Sequence, residues 1–153
     1  MKLTKLTSAV TAAVVAGGMT FAAQAVDGVT FKIVDGTIPE SLTGKPGDPV
    51  NGKKVVVGRK KGNCLACHIM PIPEEQFHGL TGPDLHGVAD RMDEAELRMR
   101  IVDPKVVSFD TMMPSFYRTG QHRVLEKFQG KTILSAQEVE DVIAYLMTLK
   151  DES

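Results

Sequence analysis

Thiols are scarce in this chain: its 153 residues include only two cysteines, Cys64 and Cys67. A structural disulfide between them is excluded on strain, since only two residues separate the pair. A second Cys/His pair at close spacing is also missing. His78 and His86 stand eight residues apart, which suits no common zinc knuckle. The strand and helix alternation of a thioredoxin-like scaffold is absent, so a dithiol centre with a lowered pKa has no framework. Neither charge is in excess. With 18 Lys and Arg against 19 Asp and Glu, the formal net charge of −1 gives no electrostatic basis for nucleic-acid binding. No internal repeat is present, and after the first 25 residues no segment is apolar enough to span a membrane.

Those first 25 residues read as an export signal. Lys2 and Lys5 precede an Ala/Val-rich run, and Ala23-Gln24-Ala25 forms a small-x-small cleavage site. The run is too short for a transmembrane helix, and no polar stripe recurs in it as an amphipathic helix would require. Cleavage after Ala25 leaves 128 residues, a single-domain length, with a formal charge of −3. The expected location is the periplasm.

What is present is Cys64-Leu65-Ala66-Cys67-His68. Two thiols separated by two residues, with a histidine next to the second, form the attachment motif of c-type haem. The thiols add across the haem vinyl groups, and His68 becomes an axial iron ligand. Such haem is attached outside the cytoplasm, in agreement with the export signal. The expected cofactor is therefore one covalently attached haem c.

The remaining pattern predicts an all-α fold of three to four helices around that haem. Residues 26–47, punctuated by Pro39 and Pro46, form an extended segment, and residues 48–153 form the haem domain. Asp48 followed by Pro49 predicts a helix start and a helix to about Lys61, with Val50, Val56 and Val57 on or near its inner side. Asp93, Glu94 and Glu96 load the first turn of a helix over about 93–102, which Pro104 ends. Ser135-Ala136-Gln137-Glu138 is a capping box, and Val139, Val142, Ile143, Leu146 and Leu149 mark one apolar face as far as Lys150. So few helices and such long loops leave a core that a haem would complete.

The second axial ligand decides whether the iron is open to small molecules or restricted to electron transfer. Met70 is too close to His68 to reach the opposite haem face. Met92, Met99 and Met147 lie on or beside predicted helices, where methionine usually fills core gaps. Met112-Met113-Pro114 lies in a loop about 45 residues beyond His68, ample for wrapping the haem. Met113 is the better of the two, because Pro114 biases it toward extended backbone. Met112, His78, His86 and His122 stay open as alternatives.

A ligating imidazole also needs an acceptor for its other ring N–H. The Pro83 carbonyl, within Thr81-Gly82-Pro83-Asp84-Leu85, suits that role, against the plainer reading of a simple turn. Arg91 is a candidate for a haem propionate.

The haem motif, the Gly-Pro-Asp-Leu segment, the Met-Pro loop and the Tyr145-containing final helix resemble class I cytochromes c. That resemblance implies a small all-α fold in which Gly52 lets the terminal helices cross near Tyr145. A narrower resemblance rests on Arg59 to His68, Met70-Pro71, Gln76-Phe77 to Gly82-Pro83, Met113 to Arg118, and Leu134 to Leu146. Together these are similar to the SoxX family of monohaem cytochrome subunits. The family implies a heterodimer with a SoxA-like cytochrome subunit, in an L-cysteine S-thiosulfotransferase complex that couples thiosulfate to a cysteine of the carrier SoxYZ.

In that setting Cys64 and Cys67 are thioether links and His68 and Met113 axial ligands. The chain itself supplies no catalytic residue and passes electrons to a downstream acceptor. The alternative function is a free periplasmic electron shuttle. A gas sensor or peroxidase would need an open sixth position.

Overall fold

A computed structural model describes residues 24–26, 29–121 and 124–151. Most of the export signal and His122 lie outside the described residues. Asp48 caps the first long helix, α1 (Pro49–Val57), by accepting a hydrogen bond from Val50 N–H, with proline in the first turn. The helix ends at Val57, four residues before the expected limit, and the N–H of the capping Gly58 bonds the Lys54 carbonyl. Val55 and Val56 are buried. Val50 corrects the expectation of an inward side chain: it is 64% exposed, because its place in the first turn points away from the face that meets the last helix.

Two short strands precede α1. β1 (Gln24–Val26) and β2 (Val29–Phe31) pair antiparallel, with Ala25 opposite Thr30. The otherwise extended N-terminal segment packs Val29, Phe31 and Ile38 into the core. After the haem motif come a single-turn helix, α2 (Val88–Arg91), and the longer α3 (Glu94–Val102). Asp93 and Glu96 make a reciprocal capping box at the start of α3. Pro104 both follows α3 and opens α4 (Pro104–Val107), where the missing proline N–H costs nothing in the first turn.

The last helix, α5 (Ala136–Leu146), begins at the Ser135 capping box and ends before the expected Lys150. Among the described residues there are thus three α-helices of nine to eleven residues with two single-turn α-helices between them.

α1 and α5 cross at contact distance because glycines remove side chains from the crossing. A Cβ at Gly52 would lie 2.0 Å from the Asp141 carbonyl oxygen and 2.8 Å from Tyr145 Cβ; at Gly47 it would meet the Glu140 carbonyl at 2.1 Å. Asp141 reinforces the crossing. Its carboxylate accepts from Asp48 N–H at 2.8 Å, Asn51 Nδ2 at 2.6 Å and Gln137 Nε2 at 2.9 Å. Burial works to raise the Asp141 pKa, but these donors outweigh it and hold the group below its ordinary value.

α3 is tied to α5 by a buried two-pronged ion pair. Arg98 Nε and Nη2 each lie 2.9 Å from one oxygen of Glu140. Arg98 also donates to the Ile38 carbonyl, and Glu140 accepts from Leu42 N–H, so the extended segment joins the same knot. Among the described residues, no helix is long and apolar enough to cross a membrane.

Candidate functional site

The thiols sit at a tight turn. Asn63, in the left-handed region at φ 50°, leads into a 3₁₀ turn over Cys64–Ala66, and both Cys67 N–H and His68 N–H bond the Cys64 carbonyl at 3.0 Å. Asparagine tolerates that backbone better than most residues. The turn brings Cys64, Cys67 and His68 together at one edge of the fold. Both thiols are free. Burial pushes the Cys64 thiol up to about 12, so at neutral pH it lacks the thiolate that dithiol exchange requires.

The segment from Gly79 to Leu85 lies back across this turn through three backbone bonds. Gly79 N–H donates to Leu65, Gly82 N–H to Cys67, and Leu85 N–H to Ile69, at 2.7, 2.8 and 3.0 Å. The strapping sets the Pro83 carbonyl oxygen 2.7 Å from His68 Nδ1. With Nδ1 donating there, Nε2 keeps its lone pair for a metal. Arg91 braces the outside of the strap, donating to the His86 and Asp84 carbonyls at 2.6 and 3.0 Å. Those bonds commit the Arg91 guanidinium to the strap.

Beside the turn is a narrow apolar cleft lined by Cys64, His68 and Met113, with Val56, Leu85 and Phe116 among its walls. Met113 is half-buried and lines the cleft; neighbouring Met112 is 77% exposed and does not. Met99 is fully buried in the core, and Met92 and Met147 pack against it. Met70 is buried beside His68.

Two histidines raised as alternative ligands lie off the thiol-lined cleft. His78 Nδ1 accepts from Met70 N–H at 3.3 Å while its Nε2 is buried without a partner, and His86 Nδ1 lies 2.6 Å from Asp84 Oδ1. They border a more open hollow under residues 69–80, which contains no thiol.

Two thiols at one edge, an imidazole with one nitrogen engaged, a thioether on the same cleft and apolar walls together fit a haem. One further residue escaped sequence reasoning. Arg100 Nε, on α3 but not among the residues that line the cleft, is buried without a hydrogen-bond partner. An unsatisfied buried donor is costly, and a carboxylate-bearing cofactor would relieve it. No spacing rule would have singled out this arginine. Its signal is the missing partner.

Comparison with known proteins follows the same lines. Residues 49–150 match the family described as Cytochrome c. A chain in the crystal structure of SoxXA from P. pantotrophus is similar in fold at a TM-score of 0.72, with 40% sequence identity over 79% of this chain and 95% of that one. Ferric cytochrome c-550 from Paracoccus versutus is a looser match, with a TM-score of 0.39 and 22% identity over 69% of this chain and 99% of that one. Cytochrome c-550 of Bacillus subtilis (strain 168) is 44% identical over 41 residues, 27% of this chain; the match spans 30% of that relative's length.

Proposed function

Because this chain belongs to the cytochrome c family, whose members bind haem c covalently and transfer electrons, we propose that it is the SoxX-type electron-transfer subunit of a SoxAX complex. In this reading it accepts electrons released when thiosulfate is joined to a cysteine of a SoxYZ carrier, and passes them to a downstream acceptor. The sulfur chemistry belongs to the SoxA-like partner. The observation that carries the reading is the correspondence with a SoxXA chain over nearly that chain's whole length.

Each site residue has a role in this proposal. Cys64 and Cys67 form the thioether links to a single haem. His68 would hold the iron through its Nε2, oriented by the Pro83 carbonyl, and Met113 would hold it through its sulfur. Arg100 pairs with a propionate. When bound, haem supplies a one-electron iron couple, and a neutral thioether ligand favours its ferrous state. Held by both His68 and Met113, the iron would be closed to small-molecule substrates.

The exposed apolar side chains support a lasting partner over a transient one. Phe77 and Leu80 stand out on the loop after His68, and Phe109 and Met112 on the loop leading to Met113. The proposal also includes export to the periplasm with loss of the first 25 residues.

Purification from the native host with mass analysis tests all of this. A chain lacking residues 1–25, heavier by one haem and bound to a cytochrome partner, is the expected result. A lone chain sustaining full thiosulfate-dependent activity would overturn it.

A further inference from the structure

We propose that Asp103 is the positioning residue for Met113: its carboxylate fixes the loop that presents the thioether and so keeps the iron closed to outside ligands. The inference rests on the reading of Met113 as the second axial ligand. Asp103 stands between α3 and α4 and is 3% exposed. Its capping role is slight, a 3.3 Å contact from Lys105 N–H to Oδ1. A helix of four residues does not require a buried carboxylate for that contact.

The stronger bonds come from the far side of Met113. Ser115 Oγ donates to Oδ1 at 2.8 Å, and Arg118 Nη1 donates to Oδ2 at 2.5 Å. These residues lie two and five positions after the thioether. Gln121 clasps the same point, accepting from Ser115 N–H and donating to the Ser115 carbonyl. Phe116 N–H and Tyr117 N–H then bond the Ile101 and Val102 carbonyls, aligning the loop with the end of α3, where Ile101 is itself a wall of the cleft.

The upstream side of Met113 is held by exposed bonds: the Thr111 carbonyl accepts from Lys105 Nζ, and Thr111 N–H bonds the Ser108 carbonyl at 3.2 Å. Phe109 is 93% exposed and Met112 is exposed beside it. The hydrogen bond nearest to Met113 on that side is its own N–H to Thr111 Oγ1 at 3.2 Å. The buried anchor of Met113 is therefore on its downstream side, where Asp103 and Ser115 are each 3% exposed. Between ligand and anchor stands Pro114, whose fixed φ transmits the position of Ser115 to Met113 with little slack. Replacing Asp103 by asparagine removes the charge facing Arg118 and exchanges one acceptor for an amide donor. Of the three donors on the carboxylate, from Lys105, Ser115 and Arg118, at least one then faces the amide nitrogen, and the segment carrying Met113 is loosened.

The test is imidazole titration of the ferric holoprotein, with the visible methionine–iron charge-transfer band recorded in parallel. Asp103→Asn is expected to tighten apparent imidazole binding by about tenfold or more, as a loosened thioether competes less well. Ser115→Ala and Arg118→Gln, each removing one bond, are expected to give smaller increases in the same direction. Glu140→Gln breaks a buried ion pair away from the loop. It is expected to lower thermal stability and leave imidazole affinity unchanged.

If Asp103→Asn loses stability like Glu140→Gln while imidazole affinity stays at the wild-type value, the proposal is overturned. Should Asp103→Asn not fold, unchanged affinity in both Ser115→Ala and Arg118→Gln has the same force. Failure of the Met113 reading is distinguishable, because the methionine band would then be absent from the unaltered protein or would survive Met113→Ala.

Discussion

Gly82 lies flat against the imidazole of His68: a Cβ built on it would stand 2.4 Å from Cε1 and 2.7 Å from Nδ1. The glycine before Pro83 thus lets the proline carbonyl reach the ring without a side chain pushing the ring away. Gly82→Ala must either rotate His68 or lift the strap, and both lengthen the 2.7 Å contact to Pro83. Loss of such orienting contacts commonly costs about 10- to 100-fold in metal affinity. The expected outcome is a partly high-spin iron with a weakened nitrogen ligand, measured by electron paramagnetic resonance of the ferric protein. A wholly low-spin spectrum with unchanged g-values would contradict it.

A similar steric test applies to the helix crossing. Gly52→Ala places a methyl group against backbone, the Asp141 carbonyl at 2.0 Å, which cannot move aside as a flexible side chain would. Overpacking of this kind costs about 1–3 kcal/mol. Thermal unfolding of the holoprotein should shift down accordingly, while the methionine–iron band of the surviving native protein persists, because the crossing does not include Met113.

Met112 and Met113 should separate cleanly by substitution. Met113→Ala is expected to abolish the methionine–iron band and to open the ferrous iron to carbon monoxide. Met112→Ala, altering an exposed side chain outside the cleft, is expected to change neither reading and stability by less than about 0.5 kcal/mol. Carbon monoxide binding to the unaltered protein would instead show an open sixth position.

Much of this architecture was legible because its signals are local. Asp48-Pro49, the acidic first turn from Asp93 to Glu96, the Ser135 capping box and the apolar face of α5 each lie within a few residues, and they start α1, α3 and α5. Helix ends were less legible. α1 stops at Val57 although Arg59-Lys60-Lys61 would continue a helix by propensity, because Gly58 leaves helical backbone and the chain turns toward Asn63. Single-turn helices such as α2 and α4 bury too few side chains to show a period.

Nonlocal bonds were invisible. Nothing near Arg98 in sequence announces Glu140, 42 residues away, and nothing near Asp103 announces Ser115 and Arg118. The contact of Pro83 with His68 is also nonlocal, yet chemistry suggested it, since a ligating imidazole has one nitrogen left to satisfy. Arg100 gave no such hint, because an arginine in a charged helix reads as solvated.

Asp141 makes the α1–α5 crossing sensitive to acid. Its folded-state pKa lies below the ordinary value of 3.8, since the donors from Asp48, Gln137 and Asn51 outweigh the opposing effect of burial. A depressed carboxylate contributes stability that is fully present above its unfolded pKa and is lost as pH falls through the folded value. The contribution should therefore be constant near neutrality and decline below about pH 4. Asp141→Asn removes this titration. It also sets an amide donor against the Asp48 N–H or the Asn51 amide, with an expected cost at neutral pH of about 1–3 kcal/mol. Thermal unfolding of both proteins between about pH 3 and 7 should give curves that converge as pH falls, because protonation takes from the wild type what the substitution has already removed. Parallel curves across the whole range would mean that Asp141 holds the crossing by shape and not by charge.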